Sequence, residues 1–302
     1  MRFSLWASLT QPWPDVVDAA RHAEATGWDG VYVADHFMGD AGAPWPVEIP
    51  TFEATAALAA LAASTTRVRL APLVFGITYR HPAVLAKWAA TVDHVSGGRF
   101  TLGVGAGWQE NEHEQYGIAL GSPRERLARF EEALLVLKGL LLEPSTTVAG
   151  DHYAVRDAIA EPKPVQSPLP ILVGGKGDRM LRIVARHADE WNMWSSPTLM
   201  AERAAALDAA CEAEDRDPAT IHRSTQALFF LVDDERKAAD LAARVEPRPA
   251  AAGTTARIAE YVAGWRDAGV DEVIVPDFTL GSGARRADAM DQLLEGVAAQ
   301  FR

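Results

Sequence analysis

The sequence predicts an α/β fold, a (β/α)8 TIM barrel with an insertion. Three observations predict it: eight short β-branched or aromatic runs, a helical pattern between successive runs, and a length of 302 residues that suits one long barrel. Several runs are continuously apolar rather than alternating, as parallel strands covered on both faces require. Residues 1–302 are read as a single domain, with the insertion at about 108–168.

The first run, 3–9, is followed by Val16, Val17, Ala20 and Ala23 at helical steps, with Gly27 placed to end that helix. The second run is 30–34 and the third 68–75. Leu85, Trp88, Val92 and Val95 then mark a helix opened by Pro82 and closed by Gly97, before the fourth run at 100–104. The next unit is oversized. It holds a helix opened by Pro123 with Phe130, Leu134, Leu137 and Leu141 on one face, then a hairpin at 146–155 turning on Gly150-Asp151, then a Pro-rich return at 162–170. The last four runs are 171–173, 190–194, 227–232 and 272–275, with Gly269 ending the final intervening helix. A dinucleotide-binding sheet is the competing architecture, but its Gly-x-Gly-x-x-Gly must follow the first strand. Here Gly103, Gly105 and Gly107 follow the fourth run and position 108 is Trp.

Composition narrows the function. The chain is 48% hydrophobic and 23% charged, which excludes a disordered or collagen-like protein. A net charge of −12 repels a nucleic-acid backbone. Arg124, Arg126 and Arg129 are interleaved with Glu125, Glu131 and Glu132, which reads as a solvated helix face rather than a basic patch. Cys211 is the single cysteine, so no intrachain disulfide or thiolate metal cluster is expected. The first residues are broken by Pro12 and Pro14 before a signal-peptide core is complete. The longest apolar tract, 54–63, is half of the roughly 20 residues a membrane span needs. A cytoplasmic protein with no nucleic-acid or membrane partner is expected.

In a barrel, reactive groups belong at the carboxyl ends of strands, where the βα loops converge. Asp35 and His36 directly follow the second strand; a histidine there can exchange a proton near neutral pH, with the adjacent carboxylate to orient it. A satisfied loop histidine beside a capping aspartate is the alternative. Gly105, Gly107 and Trp108 end the fourth strand and suit the close approach of a flat ring against an apolar wall. Glu110, Glu112, His113 and Glu114 follow, but His-Glu-x-x-His spacing is absent, and an acidic helix N-terminus is favoured over a metal site, so no metal is expected. Gly174, Gly175, Lys176, Gly177 and Asp178 open a helix whose free N–H groups suit a phosphate. Trp191, Trp194, Ser195 and Ser196 add aromatic walls and hydroxyl donors after the sixth strand. Together these groups suggest a phosphate-bearing aromatic cofactor. His81 reads as a helix cap. No Gly-x-Ser-x-Gly elbow or phosphate-binding Walker loop occurs.

Several segments carry a family resemblance: Asp35-His36-Phe37, residues 79–87 (YRHPAVLAK), 95–108 (VSGGRFTLGVGAGW), 162–166 (PKPVQ), 171–175 (ILVGG), 188–192 (ADEWN) and 268–272 (AGVDE). The chain resembles the luciferase-like monooxygenase superfamily nearly end to end, and within it the branch of oxidoreductases that use the deazaflavin coenzyme F420.

The resemblance implies a luciferase-like barrel, usually a homodimer, that transfers a hydride between F420 and a small organic substrate. It implies His36 near the reactive ring with Asp35 beside it, and a bulge with a non-prolyl cis peptide near Leu73-Val74, with one residue of latitude, pressing on the ring. Gly105, Gly107 and Trp108 would line the ring, and Gly174, Gly175, Lys176, Ser195 and Ser196 would receive the phosphate. Sugar-phosphate dehydrogenase members carry a Trp four residues beyond the equivalent of His36 and a Glu at the equivalent of Trp108; this chain has Asp40 and Trp108, so glucose 6-phosphate is not the expected substrate. Two other readings stand beside this one. They are an FMN-dependent two-component monooxygenase supplied with reduced flavin by a separate reductase, and a non-catalytic flavin- or deazaflavin-binding barrel.

Overall fold

Strands and helices alternate along the chain as the periodicity predicts. The structure, a computed structural model, describes residues 1–41 and 46–302. The first elements are β1 (Arg2–Trp6), α1 (Trp13–Thr26), β2 (Gly30–Val33), α2 (Ala54–Ser64), β3 (Arg69–Pro72), β4 (Phe75–Gly76), α3 (Pro82–Ser96) and β5 (Leu102–Gly105). Between β5 and the next long parallel strand lie α4 (Glu110–Tyr116), α5 (Pro123–Leu142), β6 (Thr146–Ala149) and β7 (Ala154–Ala158). Then come β8 (Ile171–Gly174), α6 (Asp178–His187), β9 (Glu190–Trp194), α7 (Pro197–Ala213), β10 (His222–Gln226), β11 (Leu228–Leu231) and α8 (Glu235–Arg244). The chain closes with β12 (Ala250–Gly253), α9 (Thr255–Asp267), β13 (Glu272–Pro276) and α10 (Gly283–Gly296). This is the βα succession of a (β/α)8 barrel.

The chain divides into two compact units. One comprises Met1–Ser8, Pro12–Tyr32 and Gly175–Arg302. Its strands run parallel in the order β2, β1, β13, β10, β9, with Trp6 paired to both Tyr32 and Pro276 and Gln226 paired to Trp194. Leu5, Val31, Val273 and Ile274 are fully buried, which explains the unbroken apolar runs. Helix α6 buries Leu181, Ile183 and Val184, each side chain contributing about 1.5–3 kcal/mol.

The other unit is Leu9–Gln11 with Val33–Gly174. Here β4, β5 and β8 run parallel, Val104 pairing with Phe75 and Val173, while Leu70 of β3 bridges Phe100. His81 caps α3, its ring nitrogen accepting the Ala83 N–H, and Pro82 opens the first turn. A capping box between Ser122 and Glu125, with Pro123 at the first turn, starts α5. β6 and β7 form the expected antiparallel hairpin, whose turn is pinned because Glu132 accepts the N–H groups of Asp151, His152 and Tyr153.

Two expectations about strands need correction. The run at 68–75 is two strands, β3 and β4, separated at the cis Leu73–Val74 peptide. The run at 227–232 is not the seventh long strand. It is β11, which pairs with β12 in a separate two-stranded sheet, while the strand that pairs with β9 and β13 is β10, His-Arg-Ser-Thr-Gln. Its buried Ser224, Thr225 and Gln226 are satisfied by Asn192, Ser195 and the β9 backbone, so burial there required no apolar sequence. Among the described residues, no helix is long and apolar enough to cross a membrane.

Candidate active site

In the 33–174 unit, β2 delivers His36 into the loop at its carboxyl end. The imidazole Nδ1 lies 2.8 Å from Oε1 of Glu112, and Oε2 of the same carboxylate accepts the Phe37 N–H at 2.8 Å. The Tyr79 hydroxyl also donates to Glu112 Oε1. Glu112 stands in the first turn of α4, where the unpaired N–H groups favour a negative charge. Burial alone would raise its pKa, but the His36 bond and charge, the Phe37 amide and the Tyr79 hydroxyl together hold it below the ordinary glutamate value. An ionised Glu112 fixes the proton on His36 Nδ1. His36 Nε2 has no partner among the described residues, and the side chain is 29% exposed.

Trp108 stands edge-on to the His36 ring at 5.5 Å and is 55% exposed, so it offers an open aromatic face beside the imidazole. Phe37 stacks on Tyr116 and packs on Tyr79, which packs on His113. His113 is committed: its nitrogens lie 2.6 Å from Gln109 O and 2.8 Å from Thr78 Oγ1.

Asp35 has a different role from the one its place beside His36 suggested. Its carboxylate is buried and held by both terminal nitrogens of Arg80, at 2.7 and 2.9 Å, and by the Gly76 N–H at 3.0 Å. Burial pushes the Asp35 carboxyl up, and Arg80 opposes it. Arg80 also reaches Glu53. Asp35 therefore anchors the β4 loop to Arg80, and Glu112, read from the sequence as no more than an acidic helix end, is the carboxylate that orients His36.

The Leu73–Val74 peptide is cis, where the resemblance placed it. Val74 seats its methyl groups against the glycines of β5 and β8: a Cβ on Gly105 would lie 2.8 Å from Val74 Cγ2, and one on Gly174 3.0 Å from the same atom. Gly105 and Gly174 are thus required by the protein's own bulge. Gly107 has φ +81°, and a Cβ there would strike the Thr78 hydroxyl at 2.7 Å.

In the unit that holds residues 175–302, Gly175 bonds Asn192 O through its N–H, and its carbonyl accepts the Trp191 indole N–H at 2.7 Å. Trp191 is fully buried, so it shapes the turn and presents no wall to a ligand. Ser195 is buried against Thr225 at 2.6 Å, and Ser196 caps α7 by accepting the Leu199 N–H, so both hydroxyls already have protein partners. Trp194 is half-buried and packs on Trp6 at 5.6 Å. Lys176 is exposed, α6 has no side-chain cap at Gly177, and a Cβ there would meet nothing within 4 Å. Uncovered helix N–H groups beside an exposed lysine are a donor set that fits an anionic phosphate. Glu190, His222 and Glu272 bring ligand-type atoms together at the amino ends of β9, β10 and β13, but Arg2 already supplies positive charge there, 3.2 Å from Glu272.

The luciferase-like monooxygenase family profile matches residues 1–301. The chain is 33% identical over 232 residues to an F420-dependent glucose-6-phosphate dehydrogenase of Kineococcus radiotolerans, covering 74% of this chain and 66% of that protein. It is 33% identical over 185 residues to a pyrimidine monooxygenase of Pantoea ananatis, covering 59% and 49%. The chain spans about two thirds of the length of some curated relatives it matches and about half of others. The solved coenzyme F420-dependent tetrahydromethanopterin reductase of Methanopyrus kandleri shares the fold, with a TM-score of 0.83 at 16% identity over 100% of this chain and 99% of that one.

Proposed function

Since the chain belongs to the luciferase-like monooxygenase family, we propose that it is a coenzyme F420-dependent oxidoreductase acting on a small organic substrate. The observation that carries the proposal is His36: its Nδ1 is held by Glu112, its Nε2 is unpartnered among the described residues, and an exposed Trp108 stands beside it. Bound deazaflavin would supply two-electron hydride chemistry, which belongs to the cofactor. The protein supplies position and a proton. Glu112 and the Phe37 amide fix the imidazole plane, so that Nε2 can give or take the substrate's proton without reorganisation.

Within the 33–174 unit, Val74, Gly105, Gly107 and Trp108 would receive the ring; taken by itself, the other unit offers the exposed Lys176 and the uncovered first N–H groups of α6, which suit a phosphate. Asp35 holds the loop through Arg80. The relatives at 33% identity include an F420-dependent enzyme, which supports the cofactor choice. The rival is an FMN-dependent monooxygenase with a partner reductase, favoured by the pyrimidine monooxygenase among the relatives. The resemblance also supports a homodimer, for which sedimentation is the check.

The functional experiment offers purified protein reduced F420 with a panel of carbonyl compounds under nitrogen, and separately reduced FMN with oxygen. Substrate-dependent F420 oxidation supports the proposal. Oxygen consumption that needs FMN and substrate would move the chain to the rival, and tight cofactor binding with no turnover, unaffected by His36→Ala, would make it a binding barrel.

A further inference from the structure

Trp6 is the last residue of β1, and its ring lies 5.6 Å from that of Trp194, the last residue of β9, and 5.1 Å from that of Phe278, just past the end of β13. These three rings therefore line the carboxyl ends of strands, the face on which barrel enzymes bind their substrates. Phe278 is 40% exposed, while Trp6 is 7% exposed. The Trp6 Nε1–H is buried and has no hydrogen-bond partner among the described residues. A buried indole N–H without an acceptor is costly, and buried donors are normally satisfied. Its ring neighbours are aromatic and offer only π faces and edges.

Trp28 and Trp265 also have unpartnered indole nitrogens, so the missing acceptor alone decides nothing. Both are fully buried, one between α1 and the amino end of β2 and the other within α9, so neither stands at a strand's carboxyl end. Trp6 alone of the three combines an unpartnered donor, a strand's carboxyl end and a partly exposed aromatic neighbour. Charge restricts what can come there. Asp277, next to Phe278, keeps its buried carboxylate on the Ser8 amide and 3.5 Å from Arg286, and Arg286 is committed to it and to the Asp15 carbonyl. The nearby cation is already neutralised, which disfavours an anionic ligand.

We infer that Trp6 is a substrate-recognition residue, its indole N–H donating to the carbonyl oxygen of a neutral, ring-bearing substrate that packs on Trp194 and Phe278. This rests on the oxidoreductase reading and specifies its substrate class.

The test labels the tryptophan indole nitrogens of the full-length protein and follows their N–H resonances by NMR. The probes are acetophenone, ethylbenzene, which keeps a ring and loses the acceptor, and benzoate, which adds a charge. Loss of one resonance in Trp6→Phe, or in Trp6→Tyr should the first variant misfold, identifies Trp6. Acetophenone is expected to move that resonance downfield saturably and to bind the variant about five-fold more weakly. Ethylbenzene should leave the resonance in place, and benzoate should bind more weakly than acetophenone. An unmoved Trp6 resonance at saturating acetophenone, no acetophenone binding, or equal affinity in the variant overturns the inference. So does F420 alone moving the resonance to the same position, since the acceptor would then belong to the cofactor. Failure of the oxidoreductase reading is separately visible as absent F420 binding with the acetophenone response intact.

Discussion

Glu112 and His36, 76 positions apart in the chain, meet at 2.8 Å, and the same carboxylate binds the amide of the next residue, Phe37. One side chain of α4 thereby sets both the tautomer of His36 and the path of the loop that carries it.

Removing the charge from Glu112 removes this control. Glu112→Gln is expected to lower kcat about ten- to a hundred-fold, by analogy with groups that orient a working histidine, while leaving F420 affinity within about two-fold. His36→Ala should cost more, about a hundred- to ten-thousand-fold, the usual contribution of a general acid or base. Steady-state kinetics with a parallel fluorescence titration separates the two effects.

The His36–Glu112 link has a defined pH dependence. The folded pKa of Glu112 is depressed below its ordinary 4.5. Its contribution to stability is therefore fully present above that value and is lost as pH falls through the folded value. Denaturant midpoints of wild type and Glu112→Gln should differ at neutral pH and converge as the solution is acidified below 4.5. A gap that persists unchanged to the acid limit contradicts this.

Asp35 and Arg80 form a largely buried pair, their side chains 1% and 16% exposed. Arg80→Ala leaves Asp35 buried without its cation and should cost about 3–5 kcal/mol. Arg80→Lys, which cannot reproduce the two-nitrogen clamp, should recover part of the loss. Chemical denaturation measures both.

At Gly105 a methyl group would lie 2.8 Å from Val74 Cγ2. Gly105→Ala is expected to displace Val74, lower stability by about 1–3 kcal/mol and weaken binding of the cofactor ring. Gly177→Ala, whose methyl would meet nothing within 4 Å, is the control on unfolding and should leave the melting temperature nearly unchanged. Calorimetry on the two variants checks the contrast.

Most of the barrel was legible because burial on both faces writes continuous apolar runs into parallel strands, as in β1, β2 and β13. β10 was hidden because its buried Ser224, Thr225 and Gln226 are paired with polar groups of β9, whereas Leu-Phe-Phe-Leu in β11 carries the stronger hydrophobic signal. His36 was legible from its place just after a strand. Glu112 was not, since an acidic residue in a first helical turn is explained by the helix itself, and its partner lies on a distant loop. Trp191 looked like a wall because sequence reports an aromatic ring and not the direction it faces.

Whether this barrel takes deazaflavin is decided by titrating the cofactor-free protein with F420 and with FMN in separate experiments, following quenching of cofactor fluorescence. A deazaflavin enzyme should show saturable F420 quenching retained in His36→Ala, with FMN binding at least tenfold weaker. Tight FMN binding with no F420 response would contradict deazaflavin use.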